Sequence, residues 1–559
     1  MSVTDQVVLT RRNWSIRMIS AVKTVFRFLC AMMLALPAWS SAADAQRPNI
    51  LLIIADDMGY ADLGVFGSDI RTPNIDRLAA EGIRFTHFHT APQCAPTRAM
   101  LYSGNNNHVA GMGRQYILPL LSFELEIPGY EAHLSDRVAP VSQVLQDAGY
   151  HTWFAGKWHL GDAAEHRPHA KGFERTFAVM HGTANHFNGV GYVEGGTVYT
   201  RNGELAAWPD GAYSSQLFTD ELIGFIEGNR EDGEPFFAVA SYTAPHAPLQ
   251  VPDDYLDRYA GQFDDGYDAL RERRFRELQD AGIVSLEAAL PPRNPDIPPW
   301  DELSDPDKRR EARKMELYAA LVENLDFHVG RLLQHLRDES LYEDTLIVFM
   351  SDNGAANEDF YAGGPRAPFV RANYINDFEN MGTATSWVSL GPAWAEANSA
   401  PFRGVKTYAL QGGIVSPLIV AGAGVNRSDA IDRSYVTVMD IAPTFIEAAN
   451  AVYPEGGSIR PMLGESMLPL LTGASDRVHD DDYVTTFFHV GQAYLRQGRW
   501  KIVHSNSLFD ESAFELYDVI ADPGETKNLK EEMPARYERM IELWREERVK
   551  LGILLPSDL

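Results

Sequence analysis

The hydrophobic positions of this chain fall into runs of two kinds. Asn49–Ala55 (NILLIIA), Pro235–Ala240 (PFFAVA) and Thr345–Met350 (TLIVFM) are apolar without interruption. Short runs with no polar alternation predict strands buried on both faces, as in a parallel sheet. Gly149–Gly161 predicts another strand closing in a glycine-bounded turn. From Lys314 onward the pattern changes: Leu317, Leu321, Leu325 and Val329 recur at every fourth position, which predicts a helix with a core-facing stripe. Toward the C-terminus, Tyr494–Val503 predicts a hairpin around Gly498, Phe514–Asp518 a further strand, Asp522–Glu525 a turn, and the chain beyond about Pro534 a helix. The expected architecture is α/β: a large, mostly parallel sheet flanked by helices, followed by a small antiparallel sheet with one helix. Residues 254–315 are charged and then proline-rich (Pro291-Pro292, Pro298-Pro299), and predict an inserted helix, loop and helix. Ala355–Pro401, rich in glycine and aromatics, is either a pocket wall or a surface excursion.

The N-terminus breaks this pattern. Arg11, Arg12, Arg17, Lys23 and Arg27 precede the apolar run Phe28–Ala42, and Ala43-Asp44-Ala45 offers a small-x-small cleavage site. Residues 1–45 therefore predict a signal peptide and a periplasmic or secreted protein. The run is 15 residues long and contains Pro37, too short for a span of about 20 residues, so stable membrane insertion is not expected. The 559 residues carry 49 Lys and Arg against 77 Asp and Glu, a net charge of −28. That balance argues against a nucleic-acid partner, because phosphates are repelled globally. Of the 2 cysteines, removal of the signal leaves Cys94 alone. A lone cysteine in an exported protein cannot close an internal disulfide, so Cys94 is either a buried structural thiol or a residue that does chemistry.

Two of the apolar strands end in oxygen-bearing side chains. The first runs into Asp56-Asp57 and the last into Ser351-Asp352-Asn353-Gly354. In open parallel sheets ligands bind beyond the carboxyl ends of strands, so Asp56, Asp57, Asp352 and Asn353 can converge on one ion. An all-oxygen set favours Ca2+ or Mg2+ over Zn2+. Asp-Asp after a strand is otherwise an ordinary turn or helix cap. Lys157 and His159 are two apart, a spacing that points both the same way in an extended chain.

Cys94-Ala95-Pro96-Thr97-Arg98 fits C-x-P-[ST]-R, and the chain here resembles the type I sulfatases, above all bacterial arylsulfatases of the alkaline-phosphatase superfamily. Gly149-Tyr150-His151-Thr152-Trp153-Phe154-Ala155-Gly156-Lys157-Trp158-His159-Leu160-Gly161 is similar to the second signature of that family. The likeness extends over nearly the whole chain after residue 46. It implies a catalytic α/β domain over 46–455, with the 254–315 insertion, and a C-terminal α+β subdomain over 456–559. It implies that a maturation enzyme oxidises Cys94 to formylglycine (3-oxoalanine), whose hydrate attacks the sulfur of a small sulfate ester. The second hydroxyl of the hydrate then allows the sulfated intermediate to collapse and release sulfate. Asp56, Asp57, Asp352 and Asn353 are implied as calcium ligands, with Asp352 also a base for the nucleophilic hydroxyl. Arg98 steadies the hydrate, and Lys157 and Lys406 bind sulfate oxygens. Lys157 or His246 protonates the leaving alcohol, and His159 takes the proton during collapse. Two rivals stand beside an exported aryl- or alkylsulfatase. One is a phosphonate or phosphodiester hydrolase of the same superfamily, whose members generally carry Asp-His-Gly where this chain has Asp352-Asn353-Gly354. The other is a sulfated-ligand binding protein with an unmodified Cys94.

Overall fold

The computed structural model describes residues 47–114, 127–229, 232–555 and 558. The expected signal peptide, with Cys30, lies outside the described residues. Among the described residues no helix is long and apolar enough to cross a membrane.

Ten strands form the main sheet: β1 (Asn49–Asp56), β2 (Gly82–Phe85), β3 (His151–Lys157), β4 (Arg175–Val179), β5 (Tyr199–Arg201), β6 (Glu204–Ala206), β7 (Phe236–Pro245), β8 (Thr345–Ser351), β9 (Leu418–Gly422) and β10 (Ala430–Asp432). Their spatial order is β10-β2-β9-β8-β1-β7-β3-β4-β5-β6. The central block β8-β1-β7-β3-β4 is parallel throughout, and antiparallel pairings occur only outside it. Every residue of β1, β7 and β8 is buried, which is why their sequences show no alternation. The register pairs Ala55 with Ser351, Ile54 with Ser241, and Gly156 with Ser241. Four neighbouring strands thus finish at one level, and the residues beyond their ends meet above the same edge.

Five helices frame the site and the C-terminal sheet: α1 (Cys94–Ser103), α2 (Ser214–Asn229), α3 (Gly266–Asp280), α4 (Asp305–Asp338) and α5 (Pro534–Leu551). Helix α4 packs on α2 and β7 and buries Leu317, Leu321, Leu325 and Val329 as the four-residue spacing required. It begins at Asp305, well before Lys314. Ser304 caps it by accepting the Asp307 N–H, and a proline stands in its first turn, where a missing N–H costs nothing. The C-terminal end set for the insertion, residue 315, therefore falls inside one continuous helix.

The C-terminal sheet is antiparallel: β11 (Val484–His489), β12 (Gln492–Gln497), β13 (Trp500–His504) and β14 (Glu515–Asp518), in that order. Trp544 of α5 is buried against it, among Phe488, Phe509 and Phe514. The β12–β13 hairpin turns at Gly498 as its sequence predicts. Strand β11 is an addition to the predicted elements. Its connection to β12 is the pair Val490-Gly491, both at positive φ, a geometry usually announced by Asn-Gly or Asp-Gly. Lys501 ties this sheet to the large one. Fully buried, its Nζ donates to the Ala409 carbonyl at 2.8 Å and to Glu525 Oε1 at 2.7 Å, and Glu525 Oε2 accepts the Gln411 N–H.

Candidate active site

The strand ends build the site. Beyond Asp56 the chain turns sharply at Asp57 (φ 68°), a left-handed conformation that Asp tolerates better than most residues. The Asp57 N–H donates to Asp352 Oδ1 at 3.2 Å, and the Met58 N–H to Ser351 Oγ at 2.9 Å. The ends of β1 and β8 are therefore stitched together by backbone and side chain. Asp56, Asp57, Cys94 and Asp352 each place one ligand-type atom within 4.8 Å of the others, and all four are buried. Asn353 completes the group. Its Nδ2 donates to Asp57 Oδ1 at 2.6 Å and to the Gly354 carbonyl at 2.9 Å. Both amide hydrogens are thereby assigned, and its buried Oδ1 accepts no hydrogen bond among the described residues. A buried amide oxygen without a donor is costly. Beside three carboxylates it fits a hard divalent cation, so the donor set suits the ion that the sequence implied. Gly354 is required by packing: a Cβ there would lie 1.9 Å from the Gly412 carbonyl oxygen.

Three cations answer the three carboxylates. Arg98, one turn after Cys94 on α1, donates from Nε and Nη2 to Asp352 Oδ2 at 3.0 and 2.8 Å. Its Nη1 donates to the Lys157 carbonyl at 2.6 Å and to Ser241 Oγ at 2.7 Å. The guanidinium thus spans three strand ends. Lys157, the last residue of β3, places Nζ 2.7 Å from both oxygens of Asp56. Lys406 places Nζ 2.8 Å from Asp57 Oδ2 and 3.3 Å from His246 Nε2. His246 comes directly after β7. Its Nδ1 is 2.7 Å from the Ala247 carbonyl, which makes Nδ1 the donor and turns Nε2 toward Lys406 and Asp57.

Electrostatics here are set by burial and pairing. Burial pushes the Asp56 carboxyl up against the pull of Lys157. Burial also acts to raise Asp57, but His246 and Lys406 outweigh it and hold Asp57 well below the usual carboxylate range. Burial disfavours the charge on Lys157, yet Asp56 reverses the balance and the ammonium is pushed up to about 12. His159 is held well below an ordinary imidazole by burial and by the charges of Lys157, Arg98 and Lys406, so it stands as a neutral base. Cys94 is the first residue of α1, with Sγ 3.5 Å from Asp56 Oδ1 and 3.6 Å from Asp57 Oδ1.

All ten residues singled out from the sequence lie in this cluster, but His159 arrives by a different route from the one its spacing predicts. Strand β3 ends at Lys157, and His159 has φ 61°, so two-residue parity does not apply. The turn, with the His159 ring packed against Gly182, places it instead. Three further residues belong here. Ser351 ends an apolar strand and Ser241 directly follows the apolar run Pro235–Ala240, a signal visible in the sequence; Ser241 Oγ also donates to the Lys157 carbonyl at 2.7 Å. Glu358 lies 3.2 Å from Lys406 Nζ, and nothing in its surrounding sequence marks it. Ala355–Pro401 thus touches the site through Glu358, and through Phe360, whose ring stacks on His246 at 6.3 Å.

A parallel sheet whose carboxyl edge gathers acidic oxygen ligands, facing cations and imidazoles, defines a hydrolase for esters of small tetrahedral oxyanions. The comparisons make this specific. The sulfatase family model matches residues 48–451, and the model of the C-terminal region of N-sulphoglucosamine sulphohydrolase matches 406–549. The chain is 37% identical to an arylsulfatase of Klebsiella aerogenes over 448 residues, covering 78% of this chain and 95% of that one. It is 36% identical to an uncharacterised sulfatase of Schizosaccharomyces pombe, covering 93% and 97%. The solved PsFucS1 sulfatase of a Pseudoalteromonas species has a TM-score of 0.62 at 20% identity, over 90% of this chain and 91% of that one. The protein belongs to the sulfatase family, the hydrolases of sulfate esters.

Proposed function

We propose that this protein is an exported, calcium-dependent sulfatase that cleaves small aryl or alkyl sulfate monoesters with a formylglycine at position 94. One observation carries the reading: residue 94 opens a helix inside a buried cluster of three carboxylates, an orphaned amide oxygen, three cations and two histidines. The 37% identity to the Klebsiella arylsulfatase supports the substrate class. The amide of Asn353, in place of an imidazole, favours this reading over a phosphonate or phosphodiester hydrolase.

The aldehyde hydrate at 94 supplies one hydroxyl to form a bond to sulfur as the alcohol leaves, and a second whose deprotonation re-forms the C=O and expels sulfate. Asp56, Asp57, Asp352 and Asn353 would hold Ca2+, which supplies Lewis-acid polarisation of the sulfate. Lys157 and Lys406 bind sulfate oxygens as charge develops. Arg98 holds the Asp352 carboxylate in place through its two hydrogen bonds. His246 Nε2, its other nitrogen fixed by Ala247, delivers a proton to the departing alkoxide. His159, kept neutral by burial and by its cationic neighbours, accepts the proton released on collapse.

Peptide mass spectrometry of protein made with a maturation enzyme, paired with aryl sulfate turnover before and after chelation, tests this. The expected result is a residue 94 about 18 Da lighter than cysteine and turnover that falls on chelation and returns with Ca2+. An unmodified thiol with no turnover would move the reading to a sulfated-ligand binding protein.

A further inference from the structure

The carboxylate of Glu358 stands over the same face of the site as Lys406 and His246, and the mechanism gives it no task. Its Oε1 is 3.2 Å from Lys406 Nζ, and the side chain keeps 30% exposure. Its Oε2 is enclosed and has no hydrogen-bond partner among the described residues. One oxygen is thus anchored on the sulfate-binding lysine, and the partly exposed carboxylate stands beside it. Two residues on, Phe360 lies over His246 and continues into a separate apolar group with Tyr192 and Trp387, at 5.9 and 6.4 Å between ring centroids. Phe360, Tyr192 and Trp387 thus form an aromatic group next to the Glu358 carboxylate.

We infer that Glu358 is a specificity-determining residue. It accepts a hydroxyl or ammonium donor carried by the alcohol close to the sulfate, and it excludes alcohols that carry a second anionic group there. The physical reason is charge. Asp56, Asp57 and Asp352 pair with Lys157, Lys406 and Arg98 and would share the bound ion, whereas Glu358 stands outside that ligand set and presents its charge beside Lys406. A second substrate anion placed close to Glu358 would be repelled across a partly desolvated gap. A donor would instead be drawn to the exposed part of the carboxylate. This rests on the sulfate-ester reading of the same site.

The test uses three matched esters: phenyl sulfate, 3-(aminomethyl)phenyl sulfate and 3-carboxyphenyl sulfate. They are turned over by the mature enzyme and by Glu358→Gln and Glu358→Ala; two variants are made so that one folded protein, judged by its melting temperature, suffices. The wild type should prefer the ammonium over the carboxylate ester in kcat/KM. Either variant should cut that preference about 10- to 100-fold, the effect of one charge at roughly 6 Å in a partly screened site. Calorimetry with the correspondingly substituted phenylmethanesulfonates, which cannot be hydrolysed, should show the same change in the ratio of Kd values. A preference within twofold of wild type in a folded variant that still cleaves phenyl sulfate would overturn the inference alone. Mature wild-type enzyme inert toward all three esters would overturn the parent reading and this inference with it.

Discussion

Replacing Arg274 by Met probes how the loop after Asp57 is held in place. Arg274 lies on α3, inside the stretch read as an insertion, and is 1% exposed. Its Nη1 donates to Asp62 Oδ1 at 2.6 Å and to Asn398 Oδ1 at 2.7 Å. Asp62 Oδ2 accepts the Tyr318 hydroxyl at 2.6 Å and the Gly59 N–H at 2.7 Å. The Asn398 carbonyl accepts the Ala61 N–H at 3.0 Å. The insertion, α4 and the segment before Lys406 therefore converge on one carboxylate in the loop that carries Asp57. Met fills much of the vacated volume, so the main loss is electrostatic. A buried acid left without its cation costs about 3–5 kcal/mol. Burial already pushes Asp62 upward, so in the variant it takes up a proton as pH falls. A raised folded pKa means that the associated stability is present at low pH and lost as pH rises through the folded value. The deficit of Arg274→Met should therefore be largest near pH 7 and shrink toward pH 5. Urea unfolding at both values measures it, together with Asp62→Asn and the double variant, whose cost should fall short of the sum of the two single ones. A deficit below about 1 kcal/mol at pH 7, or one that does not shrink at pH 5, would refute the reasoning.

Two further outcomes are expected. His489 is buried with Nδ1 toward the Gly113 carbonyl, and burial holds it down to about 4. Its contribution to stability is full above about 6.5 and is lost as pH falls through about 4, roughly 3 kcal/mol in all; His489→Gln should flatten the pH dependence of unfolding over that window by up to one proton, and an unchanged slope would count against a buried neutral imidazole. His246→Gln should lower kcat by about 10²–10⁴-fold with a smaller change in KM, and should depress turnover most for esters of poorly acidic alcohols, which need the proton; equal losses across a leaving-group series would remove His246 from that role.

The local chemistry of this chain was legible because it is written in short runs. Apolar stretches buried on both faces declare parallel strands, and the residues just beyond each strand must stand at the carboxyl edge. That is how Asp56, Asp57, Asp352 and Asn353 could be singled out before any fold was known. Cys94 and Arg98 stood in a pattern of five residues, and the C-terminal hairpin was announced by its glycine. Other features depend on partners far away in the chain. The position of His159 is set by a left-handed residue and by packing against Gly182, not by strand parity. Strand β11 needs a turn whose residues do not advertise it, and α4 starts early because a cap and a proline outweigh a charged, unpatterned first stretch. Glu358 reaches Lys406 and Arg274 reaches Asp62 across separations of 48 and 212 residues, and no local pattern encodes such a meeting. Sequence determines which side chains end each strand, because burial imposes a composition on the strand itself. Which of those ends become neighbours, and which loops close over them, is decided only by the strand order and packing of the folded sheet.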